Sequence, residues 1–425
     1  MTMAAPIESM AHNALRKSIL GQTIIIPSIY ETFPDWKPRL HPDYQKARYE
    51  VLNPWIQRWV KDRRTAGALE NADFGTFAAV WCPDAPFDIL CTAAKYFAWY
   101  FVYDDIFDCG SLKYNQALAS KYRAASLQYF RFSLLGEGKM PDLTCFDIDM
   151  RNGLRCWDEI GEHICQACSR STREVLCDEM LRYVGSLNNV DSIFAVHEVP
   201  TVEQYWDRRE ATAAAYCVIA TLPFIYGVDI DKTDLEDQSL RDLWKHTSHF
   251  VHITNDMLSF RKEVNDDQIE NLIPVLMLNN KIDCNTAMGQ SYQLLHNEAA
   301  SFREAEMHLV QNPQQKTAVV SHIFIEGCLN VAMGLAHWSY TGDRYFKAWE
   351  REETNVIKLT LGPPNIQEGA VNHAEHPTIL MDDTLLLQSS LRRALLNAVQ
   401  FSPLIMLTIA TIVPRLGVLL PSQGA

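Results

Sequence analysis

Residues 93–108 read AAKYFAWYFVYDDIFD, an almost wholly apolar and aromatic run that ends in aspartates. In a helix, Asp104 and Asp108 stand one turn apart on the same face. Asp105 lies about 100° further round. Carboxylates that face a greasy interior are costly to bury unpaired. A hard divalent cation is the natural compensation, and oxygen-only ligands with room for waters suit Mg²⁺. Taken alone, an aspartate-rich helix end also fits a solvated terminus, and a second stretch decides between the two.

That stretch is NDMLSFRKE, residues 255–263. Asn255, Ser259 and Glu263 fall at i, i+4 and i+8, on one stripe of about 80° of arc. An amide oxygen, a hydroxyl and a carboxylate are hard donors, a chelating edge for the same ion. Lys262 adds a positive charge at the same end.

The chain around both stretches reads as helix after helix. A pattern begins near Asp43 and carries through LNPWIQRWVKDR, with Trp55 and Trp59 at core spacing. Further segments follow at 147–170, 173–187, 202–227, 234–263, 286–311 and 315–340, with Gly110, Gly136, Gly138 and Gly227 as stops. Strand-type alternation between turns is nearly absent. The expectation is an all-α protein with too many helices for a four-helix bundle. Residues 1–40, interrupted by Pro27, Pro34 and Pro38, are expected to be irregular. Residues 41–353 form the helical domain, 354–382 a linker rich in Gly and Pro, and 383–425 an apolar helical tail. That tail reads equally as an interfacial helix and as one buried against the domain; its apolar centre is too short to span a bilayer.

Composition narrows the function. The net charge of −14 argues against a nucleic-acid surface. Eleven scattered cysteines, with no disulfide framework, suggest reduced thiols in a cytoplasmic protein. Cys165 and Cys168 form one C-x-x-C near His163, but no second pair completes a zinc site, and burial in the core is the better reading. His246, His249 and His252 recur at intervals of three. Steps of 300° rotate them away from one another, which sets them aside as metal ligands. No histidine has a glutamate three residues before it, so a di-iron bundle is excluded.

The paired motifs together resemble the class I terpene synthases, and most closely the single-domain sesquiterpene synthases of fungi. The resemblance runs from about residue 40 to 352. It implies an α-domain bundle around an apolar cavity, with Asp104, Asp105, Asp108, Asn255, Ser259 and Glu263 holding three Mg²⁺ ions, or Mn²⁺ in their place, around a substrate diphosphate. Arg344 and Tyr345, in GDRY, match the family's Arg-Tyr pair. Arg209, 46 residues before Asn255, sits where the family places its diphosphate-sensing arginine, beside Arg208. NLIPVL at 271–276 follows the second motif as in family members. Ala213 departs from the pattern, since some relatives carry glycine there, and the tail after residue 353 is an addition.

The chemistry so implied is loss of diphosphate from an isoprenyl diphosphate, expected to be farnesyl diphosphate, leaving an allylic carbocation that cyclises. Arg209, Lys262, Arg344 and the Tyr345 hydroxyl would share the anionic charge as it develops. Phe97 and Phe101, at −7 and −3 from Asp104, and Trp338 are candidates to line the cavity and stabilise cations by about 0.5–2 kcal/mol each. A chain-elongating prenyl diphosphate synthase would need a second aspartate-rich motif where Asn255–Glu263 stands. A non-catalytic helical binding protein stays as an alternative, with both intact metal motifs arguing against it. Monomer and homodimer both remain open, as does membrane contact through the tail.

Overall fold

The computed structural model describes residues 10–108, 112, 115–187, 200–265, 271–311 and 318–362. The first helix, α1 (Met10–Ile19), leads into a short strand, β1 (Thr23–Ile26). Tyr44–Lys46 (α2) then runs through a π-helical turn at Ala47–Leu52 into α3 (Asn53–Trp59). Next come α4 (Arg63–Asn71), α5 (Phe74–Trp81) and α6 (Phe87–Asp108), the last starting directly after Pro86. Helices α7 (Gln116–Leu135), α8 (Ile148–Arg155), α9 (Asp158–Ala167) and α10 (Arg170–Ser186) follow. The second half holds α11 (Val202–Thr212), α12 (Ala215–Ile219), α13 (Leu222–Tyr226) and α14 (Gln238–Asn265). It ends with α15 (Leu272–Asn280), α16 (Cys284–Gln311), α17 (Ala318–Thr341) and β2 (Ile357–Thr360).

Side-chain caps set several of these boundaries. Asn115, Ser169 and Asn271 each accept a backbone N–H in the first turn of α7, α10 and α15. Thr201 and Gln204 form a reciprocal capping box at α11. Gly136 and Gly227 close α7 and α13 in the left-handed conformation.

The helices pack in a ring. On one flank α6 rests on α5, α5 on α17, and α17 on α14. On the other, α14 meets α11 and α12, both meet α10, and α7 and α8 lead back to α6. The two motif-bearing helices therefore belong to one closed circuit, with α16 packed along α14 from outside. At the centre Phe74, Phe97, Phe101 and Trp338 contact one another, with ring centroids between 4.5 and 5.7 Å apart.

Two expectations need correction. The segment 1–40 contains α1 and β1, and the expected linker after residue 353 begins with β2. The strands pair antiparallel, Ile24 with Leu359 and Ile26 with Ile357. All four of these side chains are buried, whereas Ile25 points outward. Asn285 of α16 ties the ribbon down by accepting from Ile25 N (3.0 Å) and donating to Thr23 O (3.1 Å). Each strand is too short to announce itself, and each finds its partner at the opposite end of the domain. The second correction concerns 202–227, which is three helices. The chain breaks at Ala214, whose φ of 55° lies in the left-handed region.

The described cysteines are all free thiols, and Cys165 and Cys168 are half-buried rather than deep in the core. No described helix is long and apolar enough to cross a membrane. The rest of the expected linker, and the tail at 383–425, lie outside the described residues.

Candidate active site

Helix α6 delivers its aspartates at its C-terminal end, where exposed carbonyls already make the local potential negative. Asp105 and Asp108 fall in the last turn, which carries no basic residue. Asp104 and Asp105 are half-buried, and the hydroxyl of Tyr183, from α10, reaches Asp104 Oδ1 at 3.5 Å. Acidic groups at the negative end of a helix call for positive charge from elsewhere.

On α14 the stripe forms as the spacing predicts. Ser259 donates to Glu263 Oε1 (2.6 Å), and Asn271 Nδ2 donates to Glu263 Oε2 (2.9 Å). Burial, reinforced by the nearby Asp256 carboxylate, pushes the Glu263 carboxyl up to about 7 against the pull of Arg209 and of its own hydrogen bonds. The pocket is thus short of cationic charge. A hard divalent ion fits this donor set of amide, hydroxyl and carboxylate oxygens, and it fits the aspartates closing α6. Lys262 is half-buried on the same helix.

Arg209, on α11, extends to the start of this stripe. Its Nη2 donates to Asn255 Oδ1 (2.8 Å) and to Asp256 Oδ1 (2.9 Å), and its Nε also donates to Asp256 (3.2 Å). Asp256 is fully buried. It also accepts from the Tyr205 hydroxyl and from Leu272 N (2.7 Å). Neither Asp256 nor Tyr205 was singled out from the sequence, because an acidic residue beside a motif looks like a solvated one. Asn271 had a readable signal, a cap residue before the apolar run LIPVLM. Its amide holds Glu263 and the Asp256 carbonyl (2.8 Å) as well as capping α15.

Past the end of α17, Tyr345 accepts from Asn255 Nδ2 (3.3 Å). Its backbone carbonyl is held by Arg261 (3.0 Å), which is itself paired with Glu350. The Arg344 guanidinium lies over the Phe101 ring at 4.6 Å, and its buried Nε has no hydrogen-bond partner among the described residues. Trp338 donates its indole N–H to Ala72 O (2.6 Å) and meets Tyr345 edge-on at 5.8 Å. Phe97 and Trp338 are buried and Phe101 half-buried, all within the central aromatic cluster. That cluster also holds Phe74, which sequence reading missed because it opens a short helix with no motif of its own.

The three histidines of α14 do not all diverge as expected. His246 and His249 both turn to Glu298 of α16, whereas His252 is fully buried against the Trp206 ring at 4.8 Å. Rotation on one helix says nothing of what a neighbouring helix brings.

Residues 95–300 match the family described as terpene synthase family 2, C-terminal metal binding. Sesquiterpene cyclase hepA of Aspergillus oryzae is 25% identical over 345 residues, covering 78% of this chain and 91% of that protein. Silphinene synthase peniA of Penicillium patulum is 24% identical over 376 residues, 84% of this chain and 93% of that one. Over this region the chain is similar to the class I terpene synthases. Solved folds agree. Germacradien-4-ol synthase from Streptomyces citricolor superposes with a TM-score of 0.58 at 18% identity, over 72% of this chain and 96% of that one. Linalool/nerolidol synthase from Streptomyces clavuligerus, in complex with 2-fluorogeranyl diphosphate, gives 0.61 at 18%, over 73% and 98%. The all-α architecture is the fold of those solved synthases, and the matched stretch runs from within α6 into α16.

Proposed function

We propose that this chain is a terpene cyclase that ionises farnesyl diphosphate with Mg²⁺ and closes the resulting carbocation to a sesquiterpene hydrocarbon or alcohol. One observation carries the reading. Phe101 beside the aspartates, the neighbours Arg344 and Tyr345, Asn255 and Arg209 come from four separate stretches of sequence, yet they touch in an unbroken series. Arg209 and Arg344 flank the second motif as anion receptors, and Arg344 still has a buried donor to give. With Lys262 and the Tyr345 hydroxyl they bind the diphosphate and take up charge as the carbon–oxygen electron pair leaves with it.

Asp104, Asp105 and Asp108, with Asn255, Ser259 and Glu263, would hold the metal, which when bound supplies Lewis-acid neutralisation of the leaving group. Phe97, Phe101 and Trp338 exclude water and offer ring faces to the cation. Loss of a proton, or capture of one water, then ends the reaction. The fifteen-carbon substrate is favoured by the relatives described as sesquiterpene cyclases.

The test is incubation with geranyl, farnesyl or geranylgeranyl diphosphate across Mg²⁺ concentration, with volatile products identified by mass spectrometry. Farnesyl diphosphate is expected to give a cyclic product and Asp104→Asn almost none, with an unchanged circular dichroism spectrum. Diphosphate release from none of the three, or near-wild-type turnover by Asp104→Asn at ordinary Mg²⁺, overturns the reading.

A further inference from the structure

We propose that His246, His249 and Glu298 form a zinc-class metal site that pins α14 to α16, separate from the diphosphate site. The histidines lie at i and i+3 on α14, so both face the same neighbour, and α16 supplies the carboxylate. His246 Nδ1 stands 2.7 Å from Glu298 Oε2, and His249 Nδ1 stands 3.2 Å from Oε1. The three ligand atoms all lie within 4.8 Å of one another, a grouping that the other described His, Cys, Asp and Glu side chains do not form. At zinc–ligand bonds of about 2.0 Å, tetrahedral ligands stand about 3.3 Å apart. The two His–Glu distances, 2.7 and 3.2 Å, already approach that spacing from below.

The donor chemistry selects the ion. Two imidazoles and one carboxylate suit zinc and its transition-metal neighbours, whereas the aspartate and Asn255 sites offer oxygens alone. Rising 1.5 Å per residue, α14 places His246 about 13 Å along the axis from Asn255 and His249 about 9 Å. The site is walled but reachable. The Trp206 ring stands 5.0 Å from His249, and the three side chains keep 20%, 13% and 17% of their exposure. A fourth position can therefore take water.

His249 Nδ1 is buried and faces Glu298 Oε1 at 3.2 Å, so it is already aimed at the carboxylate with which it would share an ion.

The full chain, stripped with chelator and supplied with excess Mg²⁺ to fill the oxygen sites, is titrated with Zn²⁺ by calorimetry and with Co²⁺ by visible absorption. One equivalent of Zn²⁺ is expected, with a Co²⁺ spectrum that lacks thiolate charge-transfer bands, and a raised melting temperature. His249→Ala and Glu298→Gln should each weaken uptake by about a hundredfold, no less than outer-shell changes do. His249→Gln, which keeps a polar side chain of similar reach, gives the same answer if the alanine variant does not fold. No stoichiometric uptake, uptake unaltered in these variants, or thiolate bands pointing to the cysteines overturns the proposal.

Discussion

The Arg209 guanidinium rests on the buried carboxylate of Asp256, 2.9 Å from Nη2 to Oδ1, while the same nitrogen reaches Asn255. Asp256 thus fixes the arginine from behind. Asp256→Asn would leave Arg209 and the donors of Tyr205 and Leu272 competing for one amide oxygen. Breaking such a buried pair costs about 3–5 kcal/mol. Urea unfolding of the variant should register most of that loss, and a change under about 1 kcal/mol would show that Arg209 does not depend on Asp256.

Arg208 and Arg209 diverge by about 100° on α11, so they are not equivalent. Only Arg209 is bonded to Asn255. Arg209→Lys keeps the charge and loses the planar fork. Its turnover on farnesyl diphosphate should fall about a hundredfold, close to 3 kcal/mol on the barrier. Arg208→Lys, at a buried position, should cost stability instead. The reverse ranking in steady-state kinetics would move the proposed diphosphate contact to Arg208.

Ala214 breaks the helix pair behind Arg209 with a φ of 55°. An L-residue with a Cβ holds that conformation at about 1–2 kcal/mol, part of which glycine returns as unfolded-chain entropy. Ala214→Gly should therefore gain about 1 kcal/mol in denaturant unfolding. Destabilisation would mean that the methyl group packs more than it strains.

His337 bonds the Tyr30 hydroxyl (3.0 Å), and burial, assisted by Arg351, lowers its pKa from 6.5 to about 4. The unfolded chain binds the proton first. Stability from this group is therefore full above about 6.5 and is lost as pH falls toward about 4, by up to roughly 3 kcal/mol. His337→Gln should flatten unfolding free energy across that window. An equal slope in both proteins would assign the acid sensitivity elsewhere.

The oxygen-donor stripe of α14 was legible because helical spacing is local: Asn255, Ser259 and Glu263 needed only their own helix to line up, whereas Arg344 and Tyr345 were picked out only by resemblance. What the spacing could not reveal came from neighbours distant in sequence. Asp256 looks exposed until Tyr205, Arg209 and Leu272 close over it. Glu298 is an unremarked residue of α16 until α14 turns two histidines toward it. The break at Ala214 was hidden for the opposite reason. Alanine is the best helix former, and only tertiary packing forces one into the left-handed region.

The ribbon of β1 and β2 also sets an order of events during synthesis. Thr23 leaves the ribosome early, but its partner Thr360 is almost the last residue of the described domain to be made. Until then Ile24 and Ile26 have no sheet to enter. The nascent chain must carry this apolar edge unpaired while the helices between assemble, a state prone to aggregation. The first strand to be translated is therefore among the last to be secured, and a stalled or truncated chain ending before Ile357 would leave it open to other molecules.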